Sequence, residues 1–390
     1  MTKNVVQLRG ITWNHSRGFL PMAATAQRFE ETHPEVSILW TKRTLQEFAD
    51  YPVQKLAETF DLLIIDHPFV GYAANHPVLL PLDDYLPADY LADQAANSVG
   101  PSHASYQYGG HQWALAVDGA TPVSAARLDL LEAAAASVPQ TWEELLGLAR
   151  RGLVAVAALP VDCLMNFFML CATQGELPCA DPEMFISEDL GGWALEQLRE
   201  LVSLCPPACL SWNPIQTYEA MTGRDSIGYC PFAYSYSNYA RPGYARKVLY
   251  FDDLVSLGRH GGLRSTLGGT GLAISVTCRY PEIALEYAQF VASGACQRTL
   301  YFQSGGQPAH RSAWLDDEVN RASHNFFRNS LPAMERAYLR PRYDGYIYFQ
   351  DYGGPVVHEY LAQGGEPALF VRRLQRLYLE SVAIGGSGGD

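Results

Sequence analysis

The sequence has no apolar run long enough to span a bilayer. It is poor in charge, at 18%, and acidic where charged: 41 Asp and Glu against 28 Lys and Arg leave a net charge of −13. That balance argues against a nucleic acid or an anionic membrane surface as the main partner. Residues Met1 to Gly10 have no apolar core and no cleavage motif, so no signal peptide is legible. Either a leader has been removed or the protein is cytosolic. No cysteine precedes residue 160. The eight present are Cys163, Cys171, Cys179, Cys205, Cys209, Cys230, Cys278 and Cys296. None forms a C-x-x-C pair, and no histidine spacing completes a zinc site. They read as reduced, mostly buried thiols. Cys205 and Cys209 flank Pro206-Pro207 and are placed to bridge in an oxidising compartment.

Catalytic signatures are also missing. Outside the glycine-rich tail there is no G-x-S-x-G elbow, and there is no H-E-x-x-H and no paired-carboxylate motif. The run Gly268-Gly-Thr-Gly271 lacks the lysine of a phosphate loop and the third glycine of a dinucleotide fingerprint. Neither catalysis nor a metal or cofactor is expected.

What the chain does have is core. Its 390 residues are 48% apolar and 12% aromatic, enough for two or three domains with little disorder. Val5–Trp13 alternates as a strand, Asn14–Gly18 reads as a loop and Pro21–Thr32 as a helix. Strands at Val36–Trp40 and Asp61–Ile65, with a helical region Leu45–Glu58 between them, predict a parallel doubly wound sheet. Thr141 and Glu144 predict a capping box. Val154–Leu159 reads as a buried strand, Leu164–Gln174 and Leu190–Leu204 as helices, and Ser226–Cys230 as a strand opening into a tyrosine-rich loop. A strand over Gly268–Val276, a helix over Pro281–Ser293, and late helices Val356–Leu361 and Pro367–Leu379 follow. Leu300-Tyr-Phe-Gln-Ser304 looks like a tag-cleavage scar but reads as a native helix end. Gly385–Asp390 reads as a flexible tail.

Several ordered landmarks carry a resemblance. They are Phe29-Glu-Glu-Thr-His-Pro-Glu-Val36, Asp61–Asp66, Leu79-Leu-Pro-Leu-Asp-Asp-Tyr85, Tyr108–Leu115, Pro139-Gln-Thr-Trp-Glu-Glu-Leu145, Gly268–Ile274 and the helix around Ala284–Phe290. Together they resemble the family-1 extracellular solute-binding proteins of ABC importers, the type that includes maltose-binding protein. The resemblance covers roughly residues 5–380. The sequence departs from it at Ala125-Ala-Arg-Leu-Asp129 and in its short middle. It implies an α/β, two-lobed periplasmic-binding-protein fold of type II, with a ligand cleft between lobes and closure by hinge motion. The lobes are expected at 1–115 with 270–315, and at 116–269 with 316–384. It also implies an ABC permease as partner, a periplasmic location and a monomer.

Aligned on that fold, Trp13, Asn14, His15 and Arg17 follow the first strand, and Asp66 and His67 follow the third. Carboxyl ends of strands are where open α/β sheets bind ligands. Trp113, Asp118, Tyr234, Tyr236, Gly269, Thr270 and Tyr346 complete the expected ligand contacts. Aromatic faces and carboxylates suit a sugar or polyol. The same groups suit a cationic amine, and Arg17 suits an organic acid. A cytosolic sensor or scaffold with the same fold is the other alternative.

Overall fold

The computed structural model describes residues 5–44 and 53–386. The chain forms two compact units. The first holds residues 1–120, 268–319 and 342–344; the second holds 121–267, 320–341 and 345–390.

The first unit is built on a five-stranded sheet. Its strands are β1 (Val6–Trp13), β2 (Val36–Arg43), β3 (Leu62–Ile65), β6 (Leu115–Ala120) and β10 (Gly268–Ile274), in the order β2-β1-β3-β10-β6. The β1–β2 and β1–β3 pairs are parallel as expected, but β10 runs antiparallel to both β3 and β6. The sheet is therefore mixed, because the strand returning from the second unit enters from the opposite end. Every residue of β3 is buried, which explains its unbroken Leu-Leu-Ile-Ile run. Leu8, Met22, Phe29, Leu62, Ile64 and Tyr287 share one core. A two-residue hairpin joins β4 (Gln107–Tyr108) to β5 (His111–Gln112) through Gly109 and Gly110, at φ +59° and +88°. Glycine adopts both left-handed positions without strain.

The first helix spans Ser16–Thr32 and starts five residues earlier than Pro21 predicts. The Nδ1 atom of His15 accepts the Arg17 amide and caps the end, so the expected Asn14–Gly18 loop is largely helix. β2 is three residues longer than expected. Of the predicted region Leu45–Glu58, residues 45–52 lie outside the described residues, and Val53–Ala57 is helical.

The second unit carries a three-stranded antiparallel sheet, β8-β7-β9, from Pro122–Ala126 (β7), Tyr229–Tyr234 (β8) and Tyr250–Asp252 (β9). β8 begins three residues later than expected and takes in Tyr234. The predicted strand Val154–Leu159 is reduced to one bridge, Val154 to Tyr229, although Val154–Ala158 is fully buried. The following helix starts at Pro160, not Leu164, because proline fits the first helical position. Every residue of that helix from Asp162 to Thr173 is buried. The capping box at Thr141 forms with a shift: Thr141 accepts the Glu144 amide, while Glu144 accepts the amide of Gln140. Phe168, Phe185, Phe349 and Tyr378 form an aromatic core with centroids 4.9–6.4 Å apart. The late helices are longer than their periodicity indicates, Tyr346–Gln363 and Pro367–Gly386. The last of these takes in the start of the expected tail, and residues 387–390 lie outside the described set. Leu300–Ser304 does close a helical segment. All eight cysteines are free thiols.

Candidate ligand-binding site

In the first unit the polar groups expected from sequence converge at the ends of β1, β6 and β10. Trp13 closes β1 and is buried, with its indole against the first turn of the following helix. A Cβ on Gly18 would come within 2.4 Å of that ring. Asn14 is exposed. Arg17 and Asp118 meet in a bidentate ion pair, with Nε to Oδ2 at 2.8 Å and Nη2 on Oδ1. Both side chains are buried, at 5% and 0% exposure. Burial raises the Asp118 pKa, and the guanidinium opposes that shift. His15, burdened by burial and by Arg17, falls to about 4 and is neutral at physiological pH.

Asp118 lies opposite Thr270 across the β6–β10 pair. The register of that pair shifts between Thr270 and Gly271. Thr270 is buried, and its Oγ1 has no hydrogen-bond partner. Gly269 holds φ at +92°, and a Cβ there would lie 2.2 Å from the Asp118 carbonyl oxygen. This glycine is required by the close approach of two strands.

Asp66 and His67 sit after β3. Asp66 caps the short 3-10 turn His67–Phe69 by accepting the His67 amide at 2.9 Å. His67 is fully buried, edge-on to Tyr106. Trp113 donates its indole N–H to the Tyr108 carbonyl at 2.9 Å and so anchors the β4–β5 hairpin. Asp83, Asp84 and His111 bring ligand-type atoms within 4.8 Å of one another at the surface. Asp83 there accepts the Gln112 amide and the His111 ring, which ties the hairpin to the turn Leu82–Asp84.

In the second unit the tyrosine cluster divides by burial. Tyr229, Tyr236 and Tyr239 are buried, and Tyr236 stands edge-on to Tyr218 at 6.5 Å. Tyr234 is partly exposed, and its hydroxyl lies 3.0 Å from that of Thr266. Tyr346 opens its helix fully buried, and burial pushes its phenol well above the ordinary value.

Sequence reasoning missed Asp162. It occupies the first turn of the helix Pro160–Thr173 and is 6% exposed, and its Oδ2 has no hydrogen-bond partner. Desolvation raises its pKa from 3.8 to about 8, so at neutral pH much of it is a carboxylic acid. Buried polar groups are nearly always satisfied, and one that is not marks a functional candidate. The signal was legible as Leu-Pro-Val-Asp: proline at a helix start, then an acid in the first turn.

No family model matches this chain, and no curated protein does. Solved structures do match along its whole length. T. maritima MalE3 with maltose bound superposes with a TM-score of 0.82 at 17% identity, covering 96% of this chain and 99% of that one. The fold is that of the solute-binding proteins of ABC transporters. A solute-binding protein from Agrobacterium radiobacter K84, in complex with ribitol, matches at TM-score 0.81 and 19% identity over 97% and 100% of the two chains. One from Thermotoga lettingae, bound with α-D-tagatose, matches at 0.81 and 16% with the same coverage. The α/β fold of the maltose-binding type implied by the landmarks is thus the one observed.

Proposed function

We propose that this protein captures a small polar solute, a sugar or polyol, and delivers it unchanged to an ABC importer. The observation that most supports this is that each unit buries a side-chain oxygen without a hydrogen-bond partner among its expected or first-turn polar groups, Thr270 Oγ1 in the first and Asp162 Oδ2 in the second, within a fold solved elsewhere with maltose, ribitol and tagatose bound. Hydroxyl groups donate and accept at once. They therefore suit a carboxyl that is itself part acid and part carboxylate. The partly exposed Tyr234 offers a ring face for C–H patches. The other expected contacts of the first unit, Trp13, Asn14, His15, Arg17, Asp66, His67, Trp113, Asp118 and Gly269, are proposed as the framework around Thr270, and those of the second, Tyr236 and Tyr346, as the framework around Asp162 and Tyr234. The engagement of Arg17 by Asp118 removes the cation on which an organic-acid ligand would rely.

A cationic amine is the second reading, favoured by Asp162 itself, since a cation would pull its pKa back down. A membrane permease as partner, a periplasmic location and a monomeric state follow from the same proposal. The decisive experiment is a thermal-shift screen of maltose, ribitol, tagatose and polyamines, followed by calorimetry on hits in two buffers of different ionisation enthalpy. A sugar or polyol is expected to raise the melting temperature with little net proton exchange. An amine that binds with release of about one proton at pH 7 would select the second reading. Mass spectrometry after incubation should recover the hit unaltered; steady conversion would show an enzyme.

A further inference from the structure

Residues 97–99 and 309–311 run side by side in the first unit. The Val99 amide donates to the Ala309 carbonyl at 3.0 Å, the Arg311 amide donates to the Asn97 carbonyl at 2.6 Å, and Ser98 bridges to His310. Beside this pairing lies a cavity of about 220 Å³, counted out to its open mouth, lined by Gln94, Asn97, Ser98, His103 and His310 with two alanines. That is below the ~300–1,000 Å³ of a site for a drug-sized ligand, so the cavity suits an ion or a molecule of a few atoms.

Two imidazoles reach it from different segments. His103 belongs to the helical turn Ser102–Ser105, and its amide donates to Ser98 Oγ at 2.8 Å. The residue is 4% exposed, and its ring makes no hydrogen bond among the described residues. Buried polar groups are nearly always satisfied, so a buried ring that lines a cavity without a partner points to something the cavity holds. His310 is half-buried and opens the helix Arg311–Leu315. Its Nδ1 lies 3.3 Å from the Ser312 amide and 2.8 Å from Ser312 Oγ. The shorter contact serves as the ring N–H donating to the hydroxyl, an arrangement that orients metal-bound histidines and leaves the Nε2 lone pair free. Gly294 keeps that edge clear, since a Cβ there would lie 3.0 Å from Nε2. Burial lowers the pKa of both rings, so both are neutral at physiological pH.

We propose that His103 and His310 are the imidazole ligands of one divalent transition-metal ion in this cavity, of the zinc, nickel or copper class. Imidazole nitrogen suits those metals, whereas calcium and magnesium take oxygen ligands. Side-chain oxygens of Ser98, Asn97 or Gln94 and a water would complete the shell. Asp93, whose carboxylate accepts the Asn97 side-chain amide at 2.9 Å, acts on His310 in favour of a cation, more strongly than Arg298 acts against one. The two histidines lie far apart in the sequence, so no spacing motif announces them. The ion would pin the segment that backs Asp118, because Pro308 bridges to Asp118 and the Gly119 amide donates to the Gln307 carbonyl at 3.0 Å. Metal binding here does not depend on which solute the protein carries.

The intact chain, stripped with chelator and dialysed, is titrated with Zn²⁺ and with Ni²⁺ by calorimetry. In parallel, NMR of isotope-labelled imidazoles follows all 10 histidines during the Zn²⁺ titration. One equivalent is expected to bind, to shift the ring nitrogens of His103 and His310 alone, and to raise the melting temperature. His103→Gln and His310→Asn, the second keeping a capping oxygen, should each weaken binding ~10-fold or more while circular dichroism shows the parent fold. If either variant fails to fold, the NMR assignment on the parent decides. The proposal is overturned if neither ion binds, if both folded variants bind like the parent, or if the shifted rings lie elsewhere, with His111 beside Asp83 and Asp84 the foremost competitor.

Discussion

Asp118 in the first unit and Asp162 in the second are both buried acids, yet they are handled in opposite ways. Asp118 has a bidentate arginine, and Asp162 has an oxygen with no partner. A buried charge without a partner costs several kcal/mol, so it is either paired or neutralised by taking up a proton. The first unit takes the first route and the second unit the second. The difference is one of commitment: a paired acid is taken up by its own fold, while Asp162 is kept as a weak acid with one oxygen unpartnered. The tyrosines repeat the contrast on a smaller scale. Tyr236 is packed edge-on into its own unit, and Tyr234 keeps a face partly exposed.

The comparison can be broken most directly at Arg17. Arg17→Met leaves Asp118 buried without its cation and is expected to destabilise the protein by about 3–5 kcal/mol. The double variant with Asp118→Leu should recover most of that loss. Urea unfolding measures both, and a loss under ~1 kcal/mol for Arg17→Met would mean the pair is not the framework element described here.

Asp162 gives the next effect, and its sign is fixed by the pKa. Folding raises the group from 3.8 to about 8, so the fold favours the protonated form. The associated stability is complete below pH ~4 and is lost as the pH rises through 8. Asp162→Asn should abolish that dependence, and a variant that matches the parent at pH 4 should be more stable than it at pH 9 by about 5 kcal/mol. It should also weaken binding of the solute found in the screen. Parallel stability curves for variant and parent from pH 4 to 9 would remove Asp162 from the site.

At the tyrosines the two effects should separate. Tyr236→Ala is expected to cost about 3 kcal/mol of stability through the cavity it leaves. Tyr234→Ala should cost about 2 kcal/mol of binding with a smaller loss of stability. Calorimetry and chemical unfolding on both variants decide this, and a reversed assignment would exchange their roles. The smallest change is Thr270→Val. It removes an unpartnered hydroxyl at constant shape and should leave stability within ~1 kcal/mol of the parent, or raise it, while lowering affinity.

The strands β1, β3 and β10, the Thr141 cap and the helix Pro281–Ala292 could be read from the sequence, because each rests on local periodicity, capping or turn chemistry. Fold type was legible for the same reason: those landmarks recur in order, and their order constrains topology. The early start of the first helix was not legible, since it depends on a histidine side chain acting as a cap in place of the usual Ser, Thr, Asp or Asn. Nor was the mixed sheet, because strand direction is set by where the chain returns after 147 intervening residues, 121–267. The sequence placed Arg17, Asp118, Thr270 and Tyr234 on the candidate list as residue types at strand ends. Tertiary structure alone decided that Arg17 answers Asp118 across 101 residues, and that Asp162, two residues before the periodicity of its helix becomes clear, is left without an answer. Periodicity and capping act over a few residues and are written in the order of the chain. Burial and pairing arise between segments far apart in it, and they alone determine which polar groups the fold consumes and which it leaves without a partner.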